Sequence, residues 1–263
     1  LAAAGVIASL NGPREPRELF PPLPAALVKE AGARADDFVV CRLKAIMDDE
    51  VSPEFHASAA GILLAVDPHW RPDADASKLM LSRAVLDGAE WEGIELPEVL
   101  ISGASLVNAN LTASNLTQAK ADYADFRSAD LREANLSKID AVQANFSGAN
   151  LEGATGENAY FTFARFQRAT LDNARLDHAM FRGADFKQAS FQGACLKEAD
   201  LKHALVDEAD FRGAIFDAAS LDHVALGKAN VLGASFHRAS LEQCDLEFID
   251  PGAGADFRSA CLF

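Results

Sequence analysis

The chain has 263 residues, of which 49% are hydrophobic and 24% are charged, and its mean hydropathy is +0.01. This composition is typical of a soluble globular protein and excludes a largely disordered chain, and no apolar run reaches the length of a membrane span. The net charge of −15 argues against direct binding of nucleic acid or of an anionic membrane surface.

The first residues and the cysteines bear on where the protein works. "LAAAGVIASL" lacks a basic flank and an evident cleavage site, so we do not predict a signal peptide. Because the chain begins at Leu1 rather than at a methionine, we expect a processed product or a piece of a longer protein. No CxxC pair is present, which favours free thiols, a reducing compartment and hence the cytoplasm, with secretion as an effector left open. The cysteines are Cys41, Cys195, Cys244 and Cys261.

Residues 1–81 form the first predicted unit. "GPREPRELFPPLP" indicates a proline-rich connector. Short helices are predicted at Ala25–Ala35, Asp36–Asp49 and Pro53–Val66, because apolar residues recur there at helical spacing. We predict a small, mainly α-helical linker and cap that packs on the unit that follows, with docking of a partner as its alternative role.

A five-residue repeat dominates residues 82–263, the second predicted unit. From Leu106 to Leu246, Leu or Phe fills 24 of the 29 positions taken at steps of five, and alanine fills 25 of the 29 positions two residues earlier. On an α-helix, successive centres would lie about 140° apart, and on a flat strand they would alternate between faces. The chain must therefore bend after each short extended piece, which is the pattern of a solenoid.

The number of pentads in each coil follows from which centres match. Centres 20 residues apart are identical far more often than centres 15 apart, and slightly more often than centres 25 apart. We therefore favour four pentads per coil over five and disfavour three. Four pentads place Phe126, Phe146, Phe166 and Phe186 in one interior column. Trp91 is predicted to seal the first coil.

The repeats resemble those of a known family. "ADLREANL", "ANFSGANLEGA" and "ADFRGA" are similar to the A(D/N)LxX motif of the pentapeptide-repeat family, over about two thirds of the chain. The resemblance implies an all-β solenoid, a right-handed quadrilateral β-helix whose interior is lined by Leu, Phe and Ala. The predicted fold is this β-helix preceded by the small helical segment.

Two irregularities and the end of the repeat carry further expectations. Gly156 leaves an interior column underfilled, and we expect Tyr160 or Phe163 to fill it. "DPGAG", after Leu246, breaks the five-residue step by one residue, and Phe257 resumes it. An uncovered last coil would leave edge strands open, so we expect a homodimer through the C-terminal coil or a tail that is absent from this sequence.

No motif in the sequence predicts catalysis, and no cofactor or metal site is predicted. A Gly-rich phosphate loop, HExxH, GxSxG and a metal-spaced cluster are all missing from the sequence. His203 and His223 lie twenty residues apart, at equivalent outward positions with Asp222 beside them. They could share a metal, but two ligands fall short of a catalytic site, and we favour a solvated ladder.

The acidic charge allows one sharp functional hypothesis. The resemblance implies that some members mimic B-form DNA, bind DNA gyrase or topoisomerase IV and protect against quinolones. One face of the four-sided coil comes near to the anionic track that such a mimic needs, although Arg132 and Arg212 interrupt it. The candidate partner-binding carboxylates on this face are Asp130, Glu133, Glu152, Asp172 and Asp210.

The leading prediction is nevertheless a non-enzymatic scaffold that presents rigid β-helix faces to a protein partner. By analogy, it could be part of a larger bacterial secretion- or effector-associated protein. The DNA-mimicking gyrase binder is the alternative. Acidity is not concentrated on the repeats: residues 1–96 carry 16 acidic and 9 basic residues, and residues 97–263 carry 23 and 15. This distribution favours the scaffold.

Overall fold

The structure is a computed structural model, and it describes residues 25–35, 37–47, 55–72, 79–247 and 254–262. The proline-rich connector and most of "DPGAG" lie outside the described residues. Three helices precede the repeats: α1 at Ala25–Gly32, α2 at Asp37–Met47 and α3 at His56–Val66. Within the described residues they match the three predicted helices, and the first ends at Gly32 rather than at Ala35.

Helix α3 joins the helical segment to the solenoid. Its residues from His56 to Leu64 are all buried, as expected for a helix that is apolar on every side. The amide of Met80 donates to Nδ1 of His56 at 3.3 Å, which ties the helix to the first coil.

Trp91 lies where the segment after α3 meets the first coil. It is fully buried, and its indole N–H donates to the carbonyl oxygen of Trp70 at 2.8 Å. The two indole rings meet edge to face, with their centroids 6.2 Å apart. Trp91 thus covers the start of the solenoid as predicted, with its one polar atom satisfied.

The solenoid is held by parallel bridges of one residue each. They join the residue before each pentad centre to its equivalent twenty residues later, from Met80↔Leu100 to Ala225↔Asp245. One coil therefore contains four pentads, as predicted. Near the C-terminus the step becomes 21 residues, at Ser235↔Asp256 and Ser240↔Cys261.

The resumed step places Phe257 in an interior column. Its ring stacks on that of Phe236, with centroids 4.8 Å apart and planes 1° apart. This stacking confirms that the irregularity after Leu246 shifts the repeat by one residue and that the repeat then continues.

The pentad around Phe126 shows why the chain bends every five residues. Its amide donates to the carbonyl of Asn145 on the next coil at 2.7 Å, and the amide of Ser128 donates to that of Ser147 at 3.1 Å. The amide of Ala129 donates back to the carbonyl of Phe126 at 3.1 Å and closes a four-residue turn. Ser128 has φ +55°, which is the positive value that a type II turn needs at its third residue.

One amide of the regular pentads has no backbone acceptor, and in many pentads an Asp or Asn side chain accepts its hydrogen bond. This is the amide of the residue after the centre. Oδ1 of Asn110 accepts it from Thr112 at 3.2 Å, and Oδ1 of Asp125 accepts it from Arg127 at 3.1 Å. Such Asx turns satisfy a donor locally, which explains why the repeats use Asp or Asn before the centre.

The interior is an unbroken stack of apolar side chains. Phe126, Phe146, Phe166 and Phe186 form the predicted column, with successive centroids 4.8, 4.8 and 5.2 Å apart. All four rings are buried, so the coils are joined by packed apolar surface as well as by the hydrogen-bonded ladder.

The expectation for Gly156 was wrong. Tyr160 and Phe163 point outward and are 46% and 56% exposed. A Cβ on Gly156 would instead lie 3.0 Å from Cδ2 of Leu176 and 3.5 Å from Cε2 of Phe161. Side chains from the same interior fill the space, because the centre of a pentad can receive only inward-pointing neighbours.

Among the described residues, the ladder is interrupted where residues 205–208 meet residues 225–228. Among the described turns from residue 83 to residue 243, only that of Leu226–Ala229 lacks a positive φ at its third residue, Lys228. The amides of Val206 and Glu208, which should bond to this stretch, make no backbone hydrogen bond among the described residues. The missing bonds thus coincide with the altered turn.

Candidate functional site

The five predicted carboxylates lie on one side of the solenoid, on successive coils. Bridges connect Asp130 to Asp210 through positions 150, 170 and 190. The carboxylates of Glu133 and Glu152 lie close enough to Arg132 to stabilise its positive charge. Asp172 acts in the same way on Arg212. The structure therefore places acidic residues around each of the two arginines of this face.

Asp130 is bound within its own pentad. Its oxygens accept from Nη2 and Nε of Arg132 at 2.6 and 2.9 Å, and Oδ1 also accepts the Arg132 amide at 3.2 Å. The side-chain hydrogen bond from Arg132 is the main cause that lowers the pKa of Asp130. Asp130 is therefore a turn residue with a neutralising partner.

Asp210 and Asp172 are engaged as well. Asp210 binds Arg212 through both oxygens, at 2.6 and 2.9 Å, and accepts the Arg212 amide at 3.2 Å. Asp172 accepts from the hydroxyl of Ser190 at 2.5 Å and from the amide of Gln192 at 2.9 Å, both toward the next coil. Of the five carboxylates, Glu133 and Glu152 alone make no side-chain hydrogen bond among the described residues.

Because of these contacts, most carboxylates of the acidic face are not available to a partner. Three of its five carboxylates hold the backbone of the solenoid, and two of those three also hold an arginine. The face is a row of alternating charges with two free glutamates, not a continuous anionic track.

The histidine pair forms a stack. The imidazoles of His203 and His223 lie 4.6 Å apart between centroids, and their planes differ by 11°. Asp222 is not available to them, because it accepts from Nζ of Lys202 at 3.0 Å and from the amide of Glu242 at 3.1 Å. Within the described part of the chain, no three histidine, cysteine or acidic side chains converge as metal ligands.

The four cysteines are free thiols. Sγ of Cys195 lies 3.0 Å from Oδ1 of Asp177, and burial together with this carboxylate raises the pKa of Cys195. Burial also raises the pKa of Cys244. Neither thiol has the electropositive surroundings that activate a nucleophilic cysteine.

Sequence reasoning missed an apolar edge on the outside of the solenoid. Tyr160, Phe163 and Met180 are each between 44% and 56% exposed, and Arg182 lies beside them. The signal was present as "AMFRG" (179–183), where residues 209–213 read "ADFRG" and residues 124–128 and 255–259 read "ADFRS".

The geometry defines a class of protein, a repeat solenoid with an apolar interior and polar side chains on the outside. The family model for pentapeptide repeats matches eight copies within residues 81–231, and the chain belongs to the pentapeptide-repeat family. The matched stretches are 81–118, 109–148, 124–155, 142–177, 159–197 and 194–231. No curated protein sequence matches the chain significantly.

Solved structures include similar chains. HetL, a pentapeptide repeat protein involved in heterocyst differentiation regulation from the cyanobacterium Nostoc sp. strain PCC 7120, is 27% identical. The alignment covers 72% of this chain and 80% of HetL, with a TM-score of 0.39. QnrB1, a plasmid-mediated fluoroquinolone resistance protein, is 18% identical over 65% of this chain and 88% of its own, with a TM-score of 0.43.

One finding concerns membranes. Among the helices that the structure describes, none combines the length and the apolar character needed to cross a bilayer.

Proposed function

We propose that this protein is a non-enzymatic, cytoplasmic scaffold that binds a protein partner through outward faces of a right-handed β-helix. In this proposal, residues 82–263 form the binding unit, and residues 1–81 cap it and offer a second contact. The observation that carries the proposal is that different residues of the pentads form the coil and face the solvent. Inward residues and Asx turns build most of the coil, and outward side chains such as those of Glu133 and Glu152 make no hydrogen bond among the described residues.

Rigidity supports the same reading. A surface held by stacked rings and a hydrogen-bonded ladder is already ordered before a partner arrives, so binding costs little conformational entropy. The interior from α1 to Leu241 is one continuous apolar cluster. Such a framework keeps outward side chains at fixed spacings of about 4.8 Å per coil.

Photo-crosslinking tests the proposal. A photoreactive amino acid is placed in turn at one outward position of each side of one coil, and the source cells are irradiated. The positions are Ser137, Val142, Ser147 and Glu152. We expect one protein to be captured from one or two sides and not from the others. Capture from no side, with the variants folded, would overturn the scaffold function.

The acidic face makes a finer prediction within this proposal. Glu133 and Glu152 are the carboxylates with no structural role, so they are the ones free to contact a basic partner. Changing Glu133 to glutamine should weaken capture from position 152, where the photoreactive residue already replaces Glu152, without loss of stability. As the matched control, Asp130→Asn should lower stability only slightly, because it weakens an exposed ion pair that solvent screens.

The DNA-mimicking gyrase binder is the second candidate. The observation in its favour is the elongated acidic coil, and the pairing of Asp130 and Asp210 with arginines weighs against it. A supercoiling assay with purified gyrase tests it. Inhibition, or protection against a quinolone, at micromolar protein would favour this candidate over the general scaffold.

We further propose that two copies associate through the C-terminal coil. Cys261 and Leu262 are exposed there. Sedimentation analysis of the chain and of Leu262→Asp would test the proposal: a dimer that dissociates in the variant supports it, and a monomeric parent overturns it.

A further inference from the structure

Arginines that follow a pentad centre have a regular partner in this solenoid. Five arginines occupy this position, and in four of them the residue two places earlier is an aspartate that binds the guanidinium through both oxygens. These pairs are Asp125–Arg127, Asp130–Arg132, Asp210–Arg212 and Asp256–Arg258.

Arg182 is the fifth arginine, and it has no such partner. Met180 stands two residues earlier, where the other pentads have aspartate. Among the described residues, no hydrogen bond or ion pair reaches the guanidinium of Arg182. The next carboxylate along the column, Asp200, accepts the amide of Lys202 at 3.1 Å instead. An exposed arginine is thus left with its full hydrogen-bonding capacity.

Apolar side chains lie near this arginine on the same side of the solenoid, and Lys202 lies close enough on the next coil for the two charges to repel. Tyr160 and Met180 are bridge partners on adjacent coils. The amide of Phe163 donates to the carbonyl of Arg182 at 2.9 Å. A Cβ on Gly183 would lie 2.5 Å from Cε1 of Phe163, so the ring lies over this glycine. We call Tyr160, Phe163, Met180 and Arg182 the Met180 patch.

Phe163 adopts a backbone conformation that is unfavourable for its side chain. Its φ is +57°, a conformation that favours glycine or asparagine, and an L-residue with a bulky side chain pays about 1 kcal/mol for it. The side chain gains little burial in return, because the residue is 56% exposed. The fold has no need of a phenylalanine at this position.

The composition of the patch matches the centre of protein interfaces. Tyr, Phe, Met and Arg are the residue types enriched there, and buried tyrosine and arginine dominate binding energy. Four side chains are too few for a whole interface of about 800 Å² per partner, so the patch suits a short segment or the anchor of a larger contact.

We propose that the Met180 patch binds a peptide segment of a protein partner that presents a carboxylate next to apolar side chains. The carboxylate pairs with Arg182 in the two-pronged geometry that aspartate supplies in the other four pentads, and the apolar side chains cover Phe163 and Met180. This proposal rests on the scaffold function and names the surface and the chemistry of its partner.

The critical variant is Met180→Asp, which restores the sequence of the other four pentads. The new carboxylate should bind Arg182, accept its amide and remove the apolar side chain. The variant should therefore fold at least as stably as the parent. Leu205→Asp is the matched control, because Leu205 occupies the same pentad position, is 45% exposed against 44% for Met180, and has no arginine two residues later.

The probe is a displayed library of random ten-residue peptides, selected on the full chain. We expect selected peptides to share an Asp or Glu beside Leu, Ile or Phe. They should bind Met180→Asp at least tenfold more weakly and Leu205→Asp within twofold of the parent. Equal binding to Met180→Asp, selected peptides without a carboxylate, or no selected peptide would each overturn the proposal. Photo-crosslinking to another side would then still support the scaffold function, so the two failures are distinguishable.

Discussion

The ammonium group of Lys202 lies 3.0 Å from the carboxylate of Asp222, its equivalent on the next coil, and only 10% of the Asp222 side chain is exposed. Burial alone would raise the pKa of Asp222. Hydrogen bonds from Ser240, Lys202 and the Glu242 amide outweigh it and lower this pKa to about 2. Asp222 therefore links three successive coils through Lys202, Ser240 and the Glu242 amide, and we call this set of contacts the Asp222 clasp.

The clasp predicts a pH dependence of stability. Because the pKa of Asp222 is lower in the folded than in the unfolded chain, its contribution is complete above about pH 4 and is lost as the pH falls toward about 2. Between about pH 5 and pH 2, the free energy of unfolding should fall by roughly 1–2 kcal/mol more in the parent than in Asp222→Asn. Urea titrations at several pH values measure both. Parallel curves would contradict the role of the clasp.

Ser114 should be a weak point of the interior. It occupies an alanine position, is 1% exposed, and its hydroxyl has no hydrogen-bond partner. Ser114→Ala should raise the free energy of unfolding by about 1 kcal/mol, because it removes a buried unsatisfied group. The reverse change in the same column, Ala134→Ser, should lower it by about 1–3 kcal/mol. Urea unfolding of both variants tests the pair, and a destabilised Ser114→Ala would contradict the prediction.

The phenylalanine column should carry much of the stability. Phe146 stacks between Phe126 and Phe166, with both centroid distances at 4.8 Å. Phe146→Ala should cost about 3–5 kcal/mol through lost burial and the cavity left behind. Phe163→Ala serves as the control and should change stability by less than about 0.5 kcal/mol, as expected for a surface position. Similar losses in the two variants would show that the column is not the source of the effect.

The gap in the ladder should be visible by hydrogen exchange. The amides of Val206 and Glu208 lack acceptors, whereas those of Phe186 and Gln188, one coil earlier, donate to carbonyls at 2.7 and 2.9 Å. The first pair should exchange much faster than the second, because an unbonded amide needs no opening of the ladder. NMR-detected exchange of the intact chain measures all four. Equal protection would mean that the turn at Lys228 closes in solution.

Much of the coil could be predicted from the sequence because nearly every pentad repeats the same pattern of inward-facing residues. Leu or Phe at the centre and Ala two residues earlier predict the interior, and the Phe126 column stacks as predicted. The error at Gly156 has a physical reason. Periodicity predicts which way a side chain points, and it had already assigned Tyr160 and Phe163 to the outside.

The candidate site was harder to predict, because a sequence shows which residues are charged but not which of them form ion pairs. Asp130 and Asp210 counted as available acids until the structure paired them with Arg132 and Arg212. The Met180 patch was missed for the opposite reason. Its signal is one methionine in place of an aspartate, and its meaning is evident only once the other pentads show what that aspartate does.

The Asx turns can form with either a charged or a neutral side chain, so their formation does not depend on the isoelectric point of the protein. Aspartate and asparagine accept the orphan amide equally well, as Asp125 and Asn110 show. Substituting one for the other changes the net charge by one unit and leaves that hydrogen bond in place. A lineage of such coils could therefore drift from strongly acidic to nearly neutral while every turn stays the same. The pI of about 4.7 is therefore not a requirement of the Asx turns, whereas ionised residues such as Asp222 serve the coil through their charge.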